Sequence, residues 1–155
     1  MGRRQRVRAQ WLAPELFSRW NEEDNCAAIA LSRLIFSGLL DRHPGLHLLA
    51  AHGGGYLPTY LGRSQHANAA RPEAQTMARK PSEYLREMYF DTLVYDSVAL
   101  RHLIDVVGVS QVLLGTDYPF DMGHYTPHEL VAPAWSTTER VAVLSGNARR
   151  LFDLP

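Results

Sequence analysis

The chain has 155 residues, 46% of them apolar and 21% charged, with a formal charge of zero. These are the values of one globular domain with a real core, too short for two ordinary domains and too apolar for a disordered chain. No RNA-reading aromatic motif or basic stripe runs through it, which argues against nucleic acid as a partner, and its apolar stretches are broken by charge well short of a membrane span.

Residues 1–23 are expected to be a basic, poorly defined amino-terminal segment, and 24–155 the folded unit. Arg3, Arg4, Arg6 and Arg8 crowd the start with no apolar stretch behind them, so a basic tail is favoured over a transit peptide and a secretory signal is excluded. Cys26 is the only cysteine. That leaves no internal disulfide and no CxxC metal knuckle, as suits a reducing cytoplasm, the expected location. Pro14 interrupts the aperiodic stretch 11–23, whose structure stays open. From Asp24 or Asn25 as N-cap, Ala28, Leu31, Ile35 and Leu39 recur at helical spacing, predicting a helix to about Asp41.

Residues 46–51 (LHLLAA) read as a buried strand that runs into His52-Gly53-Gly54-Gly55. Glycines at that point let the backbone turn tightly and let a ligand approach. They tip His52 toward a functional reading over a histidine bonded to a neighbouring carbonyl. Pro58 opens a short predicted helix carrying Tyr60, Leu61 and Arg63. Residues 64–80 read as a long loop, and Pro81 opens a second short helix over 82–87.

Residues 88–92 (MYFDT) form the next strand, with Asp91 near its end. Asp96 caps an amphipathic helix with Ala99, Leu100, Leu103, Ile104 and Val107 on one face, ended by Gly108. Val112, Leu113 and Leu114 then form an apolar run cut by Gly115, as in a strand buried on both faces. Asp117 follows, either as a functional carboxylate or as a turn aspartate. After a loop holding His124 and His128, Ser136 and Glu139 have the spacing of a capping box, predicting a helix to about Ser145. Asn147 begins a last helical turn.

Strand and helix alternate three times, the pattern of an α/β fold with a parallel sheet. Polar residues collect after each strand: His52, then Asp91 and Thr92, then Thr116 and Asp117. Parallel α/β folds gather their chemistry at that end.

Six blocks, RLIFSGLLDRHPGL, AHGGGYLPTYLGR, RPEA, YFDTLVYDSVALRHLIDVVG, LLGTDYPFDMG and SGNARRLF, resemble the carboxyl-terminal half of the amidohydrolase superfamily. The resemblance is to its decarboxylating branch, which includes aminocarboxymuconate semialdehyde decarboxylase. It implies a partial TIM (β/α)8 barrel made of the last three βα units. It further implies that His52 is the catalytic histidine, Asp117 a metal ligand, and Arg63 a substrate-binding residue that grips a carboxylate, in some members from a neighbouring subunit. The implied cofactor is a divalent metal, expected to be zinc, and the implied substrate is small and carboxylated.

Two family features are absent from the text. No His-x-His pair exists, and no histidine stands for the fifth-strand ligand. A catalytic zinc usually has three protein ligands, so this chain alone is expected to bind metal weakly or not at all. Open sheet edges further predict a homo-oligomer or pairing with an amino-terminal half. Two readings remain: the carboxyl-terminal part of a metal-dependent hydrolase or decarboxylase, inactive alone, or a non-catalytic remnant or strand-pairing module.

Overall fold

The computed structural model describes residues 14–129, 131 and 135–155, with side chains from residue 25 onward except at 127. Arg3, Arg4, Arg6 and Arg8 lie outside the described residues. Helix α1, Pro14–Phe36, is continuous and begins ten residues before the predicted start. Pro14 is the first helical residue described, and the helix runs on from it to Phe36 without a break. The helix also ends earlier than predicted. Gly38 takes a left-handed conformation with φ 66° and separates α1 from the short α2, Leu39–Arg42.

Three strands make one parallel sheet in the order β1 (Leu49–Ala50), β2 (Tyr89–Asp91) and β3 (Val112–Leu113). Pairing brings Ala50, Phe90 and Val112 side by side. All three are buried in one cluster with Leu31 and Ile35 of α1 and with Leu100 and Ile104 of α5, Ser97–Val107. The opposite face carries Leu49 beside Tyr89 and Asp91 beside Leu113, since successive strand residues alternate sides.

The stretch read as a long loop is largely helical. α3 covers Leu61–Ala70, where Ala67, Ala69 and Ala70 favour helix and outweigh the polar composition. Extended backbone at Arg71, required before Pro72, ends it. Pro81 opens α4, Pro81–Leu85, whose first turn is closed by the Lys80 N–H donating to Glu83 at 2.8 Å.

Asp96 caps α5 by accepting the Ala99 N–H at 2.8 Å, and Gly108 ends the helix, both as predicted. Leu100, Leu103, Ile104 and Val107 are buried, whereas Ala99 is exposed. The capping box of Ser136 and Glu139 opens α6, Thr137–Val141. The helix expected to reach Ser145 instead widens into a π-helical turn, Ala142–Gly146, before α7, Asn147–Phe152. That turn serves the sheet: the Leu114 N–H donates to the Val143 carbonyl at 3.1 Å. Asn147 Nδ2 donates to the carbonyls of Val109 and Val112, each at 2.7 Å. Among the described residues no helix is long and apolar enough to cross a membrane.

Candidate active site

The strand ends converge as the polar pattern predicts. β1 passes through Ala51 into a tight turn at His52–Gly54. There His52 itself is left-handed, with φ 53°. Asp117, four residues past β3, is also left-handed, with φ 57°, and is followed by a cis Tyr118–Pro119 bond. The two side chains face each other, His52 Nε2 standing 4.0 Å from Asp117 Oδ1, each about three-quarters buried. Four ångströms is too long for a direct hydrogen bond. It leaves two polar groups of complementary character looking into one space.

That space is a cleft of about 560 Å³. Its polar end is His52, Asp117 and Asp121; its apolar wall includes Leu93, Val94, Leu103, Phe120 and Met122. A concave pocket in which a few polar groups converge beside apolar walls is a form small-molecule sites take. The loop after Asp117 is tied across it. Tyr95 donates its hydroxyl to the Met122 carbonyl at 2.7 Å, and the His124 N–H donates to the Thr116 carbonyl at 2.9 Å.

Asp91 lies below this rim with 9% of its surface exposed. Burial pushes its carboxyl above the ordinary range, opposed by hydrogen bonds from the N–H groups of Gly53, Leu93 and His52. Its role as a support was not readable from sequence, because its donors lie up to 39 residues away. Phe120, Asp121 and Met122 were also unassigned, although the run DYPFDMG after a strand end carried the hint.

Arg63 does not join this group. It sits exposed on α3 and lines a separate groove with Phe36, Tyr56 and Tyr60. His47 packs edge-on against Tyr89 with ring centres 5.9 Å apart, and His124 does the same with Tyr95 at 6.2 Å. For His47 this is the structural role expected of it.

The residues present do not make a complete metal site. Among the described residues no group of three or more His, Cys, Asp or Glu side chains is arranged to hold a metal ion. Asp117 supplies a hard oxygen donor and His52 an imidazole, short of the three protein ligands a catalytic metal takes.

Comparison with known proteins fits this geometry. The family model for amidohydrolases matches residues 22–154. The 2-amino-3-carboxymuconate-6-semialdehyde decarboxylase of Dictyostelium discoideum is 37% identical over 130 residues, covering 81% of this chain and 36% of that protein. The gamma-resorcylate decarboxylase of Rhodococcus jostii is 32% identical over 131 residues, covering 82% of this chain and 40% of its own. A solved dihydroxybenzoic acid decarboxylase from a Polaromonas species, with bound manganese, superposes with a TM-score of 0.73 at 29% identity, over 82% of this chain and 40% of that one. The chain therefore spans 36–40% of the length of these relatives. Matched over most of its residues, it belongs to the amidohydrolase family.

Proposed function

We propose that this chain provides the carboxyl-terminal part of a metal-dependent decarboxylase, its three strands serving as the last three of a (β/α)8 barrel. The observation that carries the reading is the approach of His52 Nε2 to 4.0 Å from Asp117 Oδ1 at the rim of a ligand-sized cleft. The relatives are decarboxylases by name, so a small carboxylated substrate follows by analogy. The manganese of the solved relative supports a divalent metal without favouring the zinc expected from sequence.

In this reading His52 is the proton donor. The bond from carbon to carboxylate breaks, carbon dioxide leaves, and the electron pair left on carbon takes a proton from the imidazole. Asp117 is one ligand of the metal, and the other ligands come from strands outside this chain. Arg63, held away from its own cleft on α3, would grip a carboxylate only in the cleft of a second copy.

The test is to produce this chain together with the amino-terminal segment of the Rhodococcus jostii relative, supply manganese, and follow carbon dioxide release from gamma-resorcylate. Neither part should turn over alone, and the pair should. His52→Ala should lower turnover roughly 10²–10⁴-fold with bound metal unchanged; unaltered turnover would remove its assigned role. The lack of a three-ligand cluster among the described residues favours a second reading for the chain by itself, a strand-pairing module without chemistry. A stable complex that never releases carbon dioxide would select that reading.

A further inference from the structure

Asp91 closes β2, between the strand ends that carry His52 and Asp117, and its side chain is consumed by backbone. Oδ2 accepts the His52 N–H at 2.9 Å, while Oδ1 accepts those of Gly53 at 2.9 Å and Leu93 at 3.1 Å. Consecutive N–H groups turned onto one anion form a concave nest, which needs left-handed backbone to aim them. His52 and Gly53 both have it, with φ 53° and 58°. For His52 this conformation is unfavourable by itself and persists only where the surroundings fix it.

The other side of the Asp91 side chain rests on β3's exit. A Cβ added to Gly115 would come within 2.8 Å of Asp91 Cβ and 3.4 Å of Oδ2. Gly115 stands two residues before Asp117, so one carboxylate is wedged between the turn that carries the imidazole and the segment that carries the facing carboxylate. The three amide bonds hold the carboxylate from within the fold, before any substrate or metal is bound.

The geometry points to Asp91 as a positioning residue. Its carboxylate holds the His52 backbone in the left-handed form and thereby places the imidazole opposite Asp117. The functional consequence rests on the reading of His52 as the reacting group; the positioning itself does not.

Residue-level hydrogen–deuterium exchange on the full 155-residue chain tests it. In the unaltered chain the His52 amide should exchange as slowly as those of Phe90 and Leu113. Asp91→Asn leaves one acceptor oxygen, which can still serve Gly53 and Leu93, and turns an NH2 group toward His52. The His52 amide should then exchange roughly 10- to 100-fold faster, the loss of a hydrogen bond to a charged group, with Phe90, Val112 and Leu113 nearly unchanged.

Gly115→Ala, which pushes on Asp91 without removing an acceptor, should give the same selective change. Fast exchange at His52 in the unaltered chain would overturn the proposal even if neither variant folds. So would acceleration spread evenly over all three strands, which marks a purely structural carboxylate, or no change at His52. In the complemented enzyme, Asp91→Asn should lower kcat while leaving KM for gamma-resorcylate nearly constant; a fall spread equally over both would count against positioning. Absence of turnover in the unaltered complex would sink the decarboxylase reading alone, because the exchange result stands without it.

Discussion

Thr92 and Gly115 are joined twice: the Thr92 hydroxyl donates to the Gly115 carbonyl at 3.3 Å and accepts the Gly115 N–H at 3.2 Å. Thr92 is fully buried, so the bridge closes the ladder between β2 and β3 just where regular pairing stops. Thr92→Val keeps the side-chain volume but leaves both groups of Gly115 without that partner. It should destabilise the chain by about 1–3 kcal/mol. Thr92→Ser keeps the hydroxyl and loses one methyl, worth about 0.8 kcal/mol. Urea midpoints for the two variants decide the matter; a valine variant as stable as the serine variant would show that the bridge contributes nothing.

Gly54 lies in the turn after His52 with φ 77°, and a Cβ there would meet the Phe90 ring at 2.8 Å. Phe90 is itself fully buried at the centre of the core, so the ring cannot step aside. Gly54→Ala should cost about 1–3 kcal/mol from overpacking, plus roughly 1–2 kcal/mol for a side chain in left-handed backbone. Thermal unfolding of the variant checks this. A Tm equal to that of the unaltered chain would mean that the turn tolerates a side chain.

The parts legible in the sequence are those where local chemistry and tertiary need agree. Apolar runs ending in glycine or a polar residue marked all three strands, and Asp96 and Ser136 cap helices as their neighbours demand. His52 and Asp117 were visible because each follows such a run. The first half of α1 was left open because its apolar residues have no clean period and Pro14 stands among them. A short helix carrying Leu61 and Arg63 was predicted, but its continuation to Ala70 was read as loop because none of the residues of α3 is buried, so it has no apolar stripe to detect. The support that Asp91 gives His52 and the separation of Arg63 from the cleft arise from contacts between distant segments, which no window of sequence contains.

Arg101 on α5 and Glu139 at the start of α6 show a pH dependence that can be isolated. Arg101 Nη1 donates to Glu139 Oε1 at 2.8 Å, and the N–H and hydroxyl of Ser136 donate to Oε2 at 3.0 and 2.8 Å. The guanidinium first, and then Ser136, holds the Glu139 carboxyl at about 2, below its ordinary 4.5. A carboxyl with a depressed value in the folded state binds its proton more readily when unfolded. Its contribution is therefore fully present above about pH 4.5 and is lost as pH falls toward about 2. Glu139→Gln removes that titration and leaves the other carboxyls common to both proteins. The stability gap between the two should be constant near neutrality and shrink as pH falls through this window. A gap that holds constant down to pH 2 would show that the carboxylate is not the group responsible.

Leu49 on β1 is 52% exposed on the sheet face opposite the core, and Leu46, three residues earlier in the chain, is exposed as well. Within the described sheet, β1 and β3 are both edge strands. β3's outer side is already bonded by Val143 and Asn147, so β1, with exposed Leu49 on it, is the edge that another strand or a second copy would cover. The isolated chain should therefore run larger than a monomer in light scattering. Adding the amino-terminal segment of a relative should replace that self-association with a defined complex. Leu49→Glu places a charge on the face to be covered and should shift the isolated chain toward monomer. Because Leu49 is already half in water, the same change should move folding stability by no more than about 0.5 kcal/mol. A monodisperse monomer with a sharp thermal transition in the unaltered chain would mean that the exposed sheet face needs no partner.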